Sequence, residues 1–454
     1  MSAVRPTLSS DALAGALARL DTADARLADR YPGEPGRRQP VHTVYGGGHL
    51  FRAATAERLG DLARRSLDEF APDPAALAQA TGMVDDPPGL VDAVHARVRE
   101  KLETEPVEDF RIDFEDGYGH RADAEEDGHV VEAAAEVAEG LASDSLPPFL
   151  GLRVKPLSPE LRARSVRTLD LFVTALVERS GGELPDNWVF TLPKITDPAQ
   201  PAAFAELLGR LEEAHGLDAG SLRFELMVET PRSIFAADGS VALPALVEAG
   251  AGRVTAAHFG TYDYTALLGI TASEQRMRHP ACDFARDVMK VALAGTEVWI
   301  SDGSTAVLPV PPHRAAEGAE LGPAQRAENR AAVHAAWRMH FDDVTDSLVR
   351  GLYQGWDLHP AQLVTRYAAV YGFFLGALDA AADRLANFLE RAAQATLLGN
   401  VFDDAATGQG LLNFFLRAVN SGAVSEDEAL ARTGLTQEEL ATRSFVEILK
   451  RRGG

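Results

Sequence analysis

Single carboxylates follow two successive apolar runs near the middle of the chain. Glu229 lies near the end of the run 222–230 (LRFELMVET), and Asp263 ends the run 253–263 (RVTAAHFGTYD). If these runs are neighbouring strands, which lie about 5 Å apart, both carboxylates can reach one ion. Two carboxylates with open positions for water and substrate oxygens suit octahedral Mg²⁺, or Mn²⁺. The alternative is that each carboxylate pairs with an arginine at its strand end.

A second acidic group lies in the run 110–116 (FRIDFED). Alternation along a strand puts Asp113 and Glu115 on one face, with Asp116 on the other face or in the following loop. Packed carboxylates share protons, bind metal-coordinated water or meet nearby cations. Arg111 or Arg153 could supply that cation. Arg153 could also bind a substrate carboxylate or enolate oxygen through its planar fork. The two roles are compatible.

Lysine is rare, with five in the chain, and two of them end consecutive predicted strands. Lys155 and Lys194 could bind a substrate carboxylate or, if desolvated, form a Schiff base. A salt bridge to an adjacent strand-end carboxylate is the simpler explanation for both lysines. Gly260 and Thr261 could offer backbone N–H groups to an anion where the chain turns into a helix.

Three histidines are candidate acid–base groups, although a lone histidine is more often structural. His359 lies in the segment WDLHPAQL, whereas His42 and His49 flank the glycines at 46–48.

Strand and helix patterns alternate along most of the chain and must position these residues. The predicted strands are 41–45, 110–116, 149–156, 188–194, 222–230, 253–263, either 298–301 or 305–310, and 355–358. About eight β units with helical patterns between them predict an α/β fold, a (β/α)₈ TIM barrel. In such a barrel active sites gather at the C-terminal ends of the strands.

The predicted barrel spans residues 41–362 and has a helical addition at each end. Residues 1–40 form an N-terminal helical extension, and residues 363–454 form an all-helical extension that covers the barrel or mediates assembly. We therefore expect a homo-oligomer. The acidic stretch 123–127 is predicted to be a solvated loop.

Composition excludes several classes of protein. The net charge of −23, from 44 basic and 67 acidic side chains, disfavours a general binder of nucleic acid or anionic membranes. Cys282 is the only cysteine, so neither an intramolecular disulfide nor a multi-cysteine zinc site can form. Without a signal-peptide pattern or a run of 18 apolar residues, we expect a soluble cytoplasmic protein.

Taken in order, these segments resemble the citrate lyase β-subunit-like branch of the HpcH/HpaI aldolase family, within the phosphoenolpyruvate/pyruvate-binding TIM barrels. The matching segments are 113–116 (DFED), Arg153 with Val154, Pro193 with Lys194, 228–230 (VET), 260–263 (GTYD), 300–303 (ISDG) and 359–362 (HPAQ). Their order and spacing over 41–362 make the resemblance specific.

The resemblance implies a Mg²⁺-dependent carbon–carbon lyase or aldolase, or the reverse condensation. The implied substrate is a small anionic 2-oxo acid or an acyl-CoA thioester. Glu229 and Asp263 would bind the metal, and Arg153 would hold the enolate oxygen or carboxylate of the substrate. Asp116 or Glu115 would orient metal-bound water or assist proton transfer.

Two further matches concern substrate and base. His359 corresponds to a segment near the CoA in members that use it. The sequence GTYDY at 260–264 and the helical tail also look similar to malate synthase, whose catalytic base lies in its C-terminal part. Asp403 and Asp404 are weak candidates for such a base.

Three other functions stay open at this stage. They are a phosphoenolpyruvate-using phosphotransferase, a Schiff-base aldolase using Lys194 or Lys155, and a non-catalytic barrel that acts as a binding module. The chain has no G-x-x-x-x-G-K-[ST] nucleotide loop, which lowers the first of these.

Overall fold

The computed structural model describes residues 7–33, 36–315, 318–397 and 405–453. Within these ranges the strands form one closed barrel in sequence order, and each neighbouring pair is parallel. The strands are β1 (His42–Gly47), β2 (Asp109–Asp113), β3 (Phe149–Arg153), β4 (Trp188–Leu192), β5 (Arg223–Val228), β6 (Val254–Phe259), β7 (Trp299–Ser304) and β8 (Gln354–Asp357). The predicted (β/α)₈ barrel is confirmed, and of the two positions considered for β7 the first is correct.

Helices follow most strands of the barrel, and further helices precede the first strand and follow the last one in the chain. They are α1 (Ser10–Arg30), α2 (Thr55–Phe70), α3 (Pro74–Thr81), α4 (Leu90–Thr104), α5 (Asp123–Ser143), α6 (Arg162–Ser180), α7 (Ala199–His215), α8 (Pro231–Ile234), α9 (Leu243–Ala249), α10 (Thr261–Leu267), α11 (Pro280–Leu293), α12 (Pro323–Val349), α13 (Gln362–Leu397), α14 (Ala405–Asn420), α15 (Glu426–Thr433), α16 (Gln437–Thr442) and α17 (Phe445–Gly453). None of the helices in the described ranges is both long and apolar enough to span a membrane.

The acidic stretch at 123–127 is the first turn of α5, so the prediction of a solvated loop was wrong. Glu126 is buried, and it accepts hydrogen bonds from Lys155 Nζ at 2.8 Å and Thr168 Oγ1 at 2.7 Å. Acidic side chains are favourable at a helix N-terminus because the helix dipole is positive there. A charge run can therefore mark the beginning of a helix as well as a loop.

Charged side chains fill the interior of the barrel below its C-terminal end. Arg111 on β2 reaches across to Glu225 on β5, with Nε–Oε1 and Nη2–Oε2 distances of 2.8 Å each. Asp109 also binds Arg111, and His258 Nε2 lies 3.0 Å from Glu225 Oε2. Strands β2 and β5 are not neighbours, so this contact passes through the interior. Thr191 Oγ1 donates to the same glutamate.

The described helices after the barrel begin with α13, which packs against α4 and α12 on the outside of the barrel. Leu363, Val364 and Tyr367 are fully buried in that packing. Helices α14, α15 and α17 then contact the later turns of α13. The tail also contacts α4 and the segment before β1, through Arg97 with Glu428 at 3.1 Å and Arg417 with Gln39 at 2.9 Å.

Candidate active site

Four carboxyl groups gather around Lys194 at the C-terminal ends of β2, β4, β5 and β6. We call Glu115, Asp116, Glu229 and Asp263 the carboxylate cluster. Lys194 Nζ lies 2.6 Å from Glu115 Oε1, 3.2 Å from Asp116 Oδ2 and 3.2 Å from Asp263 Oδ2. The structure therefore brings together the acidic residues that the sequence singled out, with Lys194 between them.

The backbone of Lys194 contributes a second contact to the cluster. Its φ is +51°, in the left-handed region that side chains other than glycine seldom adopt. In this conformation its amide donates to Glu229 Oε1 at 2.6 Å. Lys194 thus binds Glu229 through its main chain and three other carboxylates through its side chain.

Glu229 is the most deeply buried member of the cluster, with 1% of its surface exposed. A Cβ on Gly260 would lie 2.5 Å from Glu229 Cβ and 2.8 Å from its Oε2, so only glycine leaves room for this carboxyl group. Burial raises the pKa of Glu229 to about 8. Lys194 opposes that increase, whereas the charges of Glu115 and Asp263 add to it.

Arg153 lies beside the cluster and is also buried. Its Nε and Nη2 donate to Asp113 at 2.7 and 2.6 Å, and its Nη1 lies 3.1 Å from Glu115 Oε2. The guanidinium carbon stands 4.8 Å above the ring of Tyr45 and 5.5 Å from that of Trp356. Within the described chain, Nη1 has no hydrogen-bond partner of suitable geometry.

Sequence reasoning missed Tyr45 and Trp356, which support the guanidinium through their ring faces. Tyr45 belongs to β1 and Trp356 to β8, and their rings are 4.3 Å apart. Strand alternation puts Thr43, Tyr45 and Gly47 on one face of β1, and this pattern was the signal in the sequence that Tyr45 points into the barrel. Nothing in the local sequence connects it to Arg153.

Several candidate residues lie outside the cluster. Lys155 Nζ binds Glu126 and the Phe114 carbonyl, at 2.8 and 2.7 Å, so it forms a salt bridge, but with a helix residue instead of the expected strand-end carboxylate. His42 is buried at the opposite end of the barrel, where burial lowers its pKa to about 4. The amide of Gly260 donates to the Val228 carbonyl at 3.0 Å, so it is not directed at an anion as expected.

The remaining candidates stand near the same end of the barrel. His359 follows β8 and is half-buried; its Nδ1 accepts from the Ala361 amide at 3.2 Å, so the neutral ring carries its proton on Nε2. Burial lowers the pKa of His359. Thr261 Oγ1 is buried and has no hydrogen-bond partner in the described chain. Asp403 and Asp404 lie outside the described residues.

Carboxylates in this arrangement fit a divalent cation. No three Asp, Glu, His or Cys side chains in the described ranges form a ready-made metal cage. Mg²⁺ needs no such cage, because it commonly binds one or two carboxylates and takes its other ligands from water and substrate. Burial, and after it the charges of Glu115 and Asp263, raises the pKa of Glu229, so a divalent cation would favour the ionised form of this carboxyl group.

In metal-free buffer we expect the free energy of unfolding to fall as pH rises from about 4.5 to about 8. The unfolded chain ionises Glu229 near its ordinary pKa of 4.5, whereas the folded chain keeps that proton to about pH 8. The folded state therefore binds more protons in this window, and stability present below pH 4.5 is lost across it. Each pKa unit corresponds to about 1.4 kcal/mol.

Thermal unfolding with EDTA at about pH 5.5 and about pH 8 measures this effect. The Tm of the wild type should fall by several degrees more than that of Glu229→Gln, which cannot titrate at this position. Equal decreases in the two proteins would contradict the assignment.

In fold, the chain is similar to solved structures of other (β/α)₈ barrel proteins. A citrate lyase structure from Burkholderia xenovorans LB400 matches with a TM-score of 0.50 at 17% identity, covering 75% of this chain and 92% of that one. Haloferax volcanii malate synthase, solved with magnesium and glyoxylate, matches at 15% identity over 92% and 99% of the two chains, with a TM-score of 0.44. Protein CitE from Mycobacterium tuberculosis, solved with magnesium and acetoacetate, matches at 14% identity over 72% and 89%, with a TM-score of 0.39.

A family model matches most of the sequence. The chain belongs to the family described as domain of unknown function DUF6986, whose model matches residues 20–448. No curated protein matches the chain.

Proposed function

We propose that this protein is a Mg²⁺-dependent carbon–carbon lyase, or the corresponding condensing enzyme, acting through an enolate. The observation that carries the proposal is the carboxylate cluster beside the buried guanidinium of Arg153. Cleavage or formation of a carbon–carbon bond next to a carbonyl requires a site that tolerates negative charge on oxygen. The similarity in fold to a citrate lyase structure and the ordered sequence motifs support the same class of reaction.

Each residue has a role in this proposal. Glu229 and Asp263 would hold the metal, which when bound acts as a Lewis acid on the carbonyl oxygen. Arg153 would donate from Nη1 to the carboxylate or enolate oxygen of the substrate, with its other nitrogens fixed by Asp113. Glu115 or Asp116 would move a proton. Mn²⁺ would serve in place of Mg²⁺ at such oxygen ligands.

The substrate class is a small anionic 2-oxo acid or an acyl-CoA thioester. Lys194, Thr261 and His359 would contact the substrate. The division of the chain at residues 40 and 362, a cytoplasmic location and self-association stay predictions from the sequence.

The Schiff-base alternative needs a neutral lysine amine, and the structure disfavours one at either position. Burial alone would lower the pKa of Lys194, but Glu229 and Glu115 outweigh it and raise that pKa well above its ordinary value. An amine held as an ammonium ion cannot attack a carbonyl. Lys155 is held by Glu126 and a backbone carbonyl.

Exchange of the pyruvate methyl protons in D₂O, followed by ¹H NMR, tests the proposal without knowledge of the second substrate. We expect the protein with Mg²⁺ to accelerate exchange by about a hundredfold or more over Mg²⁺ alone, since general acid–base catalysis contributes about 10²–10⁴-fold. EDTA should abolish the effect and added Mg²⁺ should restore it. Acetyl-CoA replaces pyruvate in a parallel sample.

The outcomes separate the rival functions. Exchange that resists EDTA and stops after borohydride reduction would favour a Schiff base. Absence of exchange with both pyruvate and acetyl-CoA, together with absence of Mg²⁺-dependent binding of either, would leave a non-catalytic barrel and reject the proposal.

A further inference from the structure

Lys194 makes the contacts that a metal ion in the cluster would make. Its ammonium group lies within 3.2 Å of oxygens from Glu115, Asp116 and Asp263, and its amide holds the fourth carboxylate, that of Glu229. Glu229 Oε1 and Asp263 Oδ2 already accept from Lys194, so a divalent ion shared by these two carboxylates would lie close to its ammonium group. Two cations cannot share these oxygens at such distances without strong repulsion.

We propose that Lys194 is a tethered counter-ion, which neutralises the carboxylate cluster in the metal-free protein and withdraws from Asp263 when a divalent cation binds. This inference rests on the proposed metal site. It assigns Lys194 a positioning role that controls metal affinity, distinct from nucleophilic chemistry.

The Lys194 side chain can move, and one of its present partners can still bind it after the movement. Its exposed fraction is 31%, and its flexible stem carries a compact charge that can rotate without moving the backbone. Asp116, one of its present partners, is 60% exposed and lies toward solvent, whereas Glu115 is 5% exposed. The ammonium can therefore retain Asp116 while it leaves Asp263.

The main chain of Lys194 stays in place during this movement. The left-handed backbone and the 2.6 Å bond from its amide fix the position of Glu229 Oε1. A withdrawn ammonium remains near the opening, where an anionic group of an entering substrate can pair with it. Metal binding and substrate capture would thus depend on one side chain.

Binding of Mn²⁺, measured by electron paramagnetic resonance on the full chain, tests the inference without an activity assay. Lys194→Met removes the competing cation, so its Kd for Mn²⁺ should fall about tenfold or more below that of the wild type. Lys194→Arg keeps a cation at the position and should bind Mn²⁺ no more tightly than the wild type. Lys155→Met removes a lysine charge from the neighbouring strand end and should change the Kd less than about twofold.

A second measurement uses the wild type alone. Acetylation of each lysine by an amine-reactive ester is followed by mass spectrometry, with exposed Lys450 as the internal reference. Saturating Mn²⁺ should increase the acetylation rate of Lys194 by about tenfold, as expected when an ion pair with one carboxylate is lost.

The results distinguish two failures. If Mn²⁺ binds to neither the wild type nor Lys194→Met, the proposed metal site itself is rejected. If Mn²⁺ binds to the wild type but Lys194→Met does not bind it more tightly, or Lys194 acetylation is unchanged at saturation, the counter-ion role is rejected and the metal site stands.

Discussion

Replacing Glu229 by glutamine is expected to reduce Mg²⁺-dependent enolisation by about a hundredfold or more, down to the rate with Mg²⁺ alone. Lewis-acid stabilisation contributes several kcal/mol, and each 1.4 kcal/mol is about tenfold in rate. The glutamine amide has nearly the shape of the carboxyl group but carries no charge for a divalent ion. Pyruvate exchange with Mg²⁺ measures the loss directly.

The same substitution is expected to leave the metal-free protein at least as stable as the wild type near pH 8. Burial raises the pKa of Glu229, so ionising it costs free energy in the folded state. The glutamine oxygen can still accept from the Lys194 amide. Lower activity of Glu229→Gln without a loss of stability would indicate that the Glu229 charge serves function and does not stabilise the fold.

Glu225→Gln is the matched control, because Glu225 lies on β5, four residues before Glu229, and is equally buried. Although burial opposes it, the charge of Arg111 holds the pKa of Glu225 well below its ordinary value. Loss of that charge should lower stability. The two glutamates are therefore expected to respond to one substitution with opposite changes in Tm.

Urea unfolding and thermal unfolding of both variants supply the comparison. A large loss of stability in Glu229→Gln would indicate a structural role for this carboxyl group. Retention of full Mg²⁺-dependent exchange in that variant would remove Glu229 from the metal site.

The strand order of the barrel could be predicted because apolar runs and helical patterns repeat locally. The run 188–194 predicts a strand from Trp188, where β4 begins, and places Lys194 at its C-terminal end. β7 was ambiguous because it ends in buried polar residues, and one of them, Asp302, binds Arg286 of α11 and Ser347 of α12. Local pattern identifies an apolar strand more readily than one that ends in buried polar residues.

The partners inside the site could not be predicted, because closure of the barrel decides them. Arg111 and Glu225 are 114 positions apart and meet only across the interior. The left-handed φ of Lys194 and the support of Arg153 by Tyr45 also depend on tertiary packing. Sequence spacing thus identified the charged strand ends, whereas the pairing of those charges required the closed barrel.

Arg111→Met is expected to cost about 3–5 kcal/mol of stability, the range for breaking a buried ion pair by removing one partner. The guanidinium binds Asp109 and Glu225, which are each 1% exposed. Its removal leaves two buried carboxylates with only Thr43, Thr191 and His258 as polar partners in the described chain. The loss should appear as a lower urea midpoint with an unchanged m-value.

A double-mutant cycle separates this ion pair from general packing. The double variant Arg111→Met, Glu225→Gln no longer carries the Glu225 charge that Arg111→Met alone leaves buried. Its loss in the free energy of unfolding should therefore be smaller than the sum of the two single losses by about 1 kcal/mol or more. Additive losses would show that Arg111 and Glu225 do not stabilise each other across the barrel. Because Arg111 lies below the carboxylate cluster, Mn²⁺ affinity measured under native conditions should change far less than in Glu229→Gln. That result would show that the buried ion pairs of the barrel interior stabilise the fold without affecting metal binding at the carboxylate cluster.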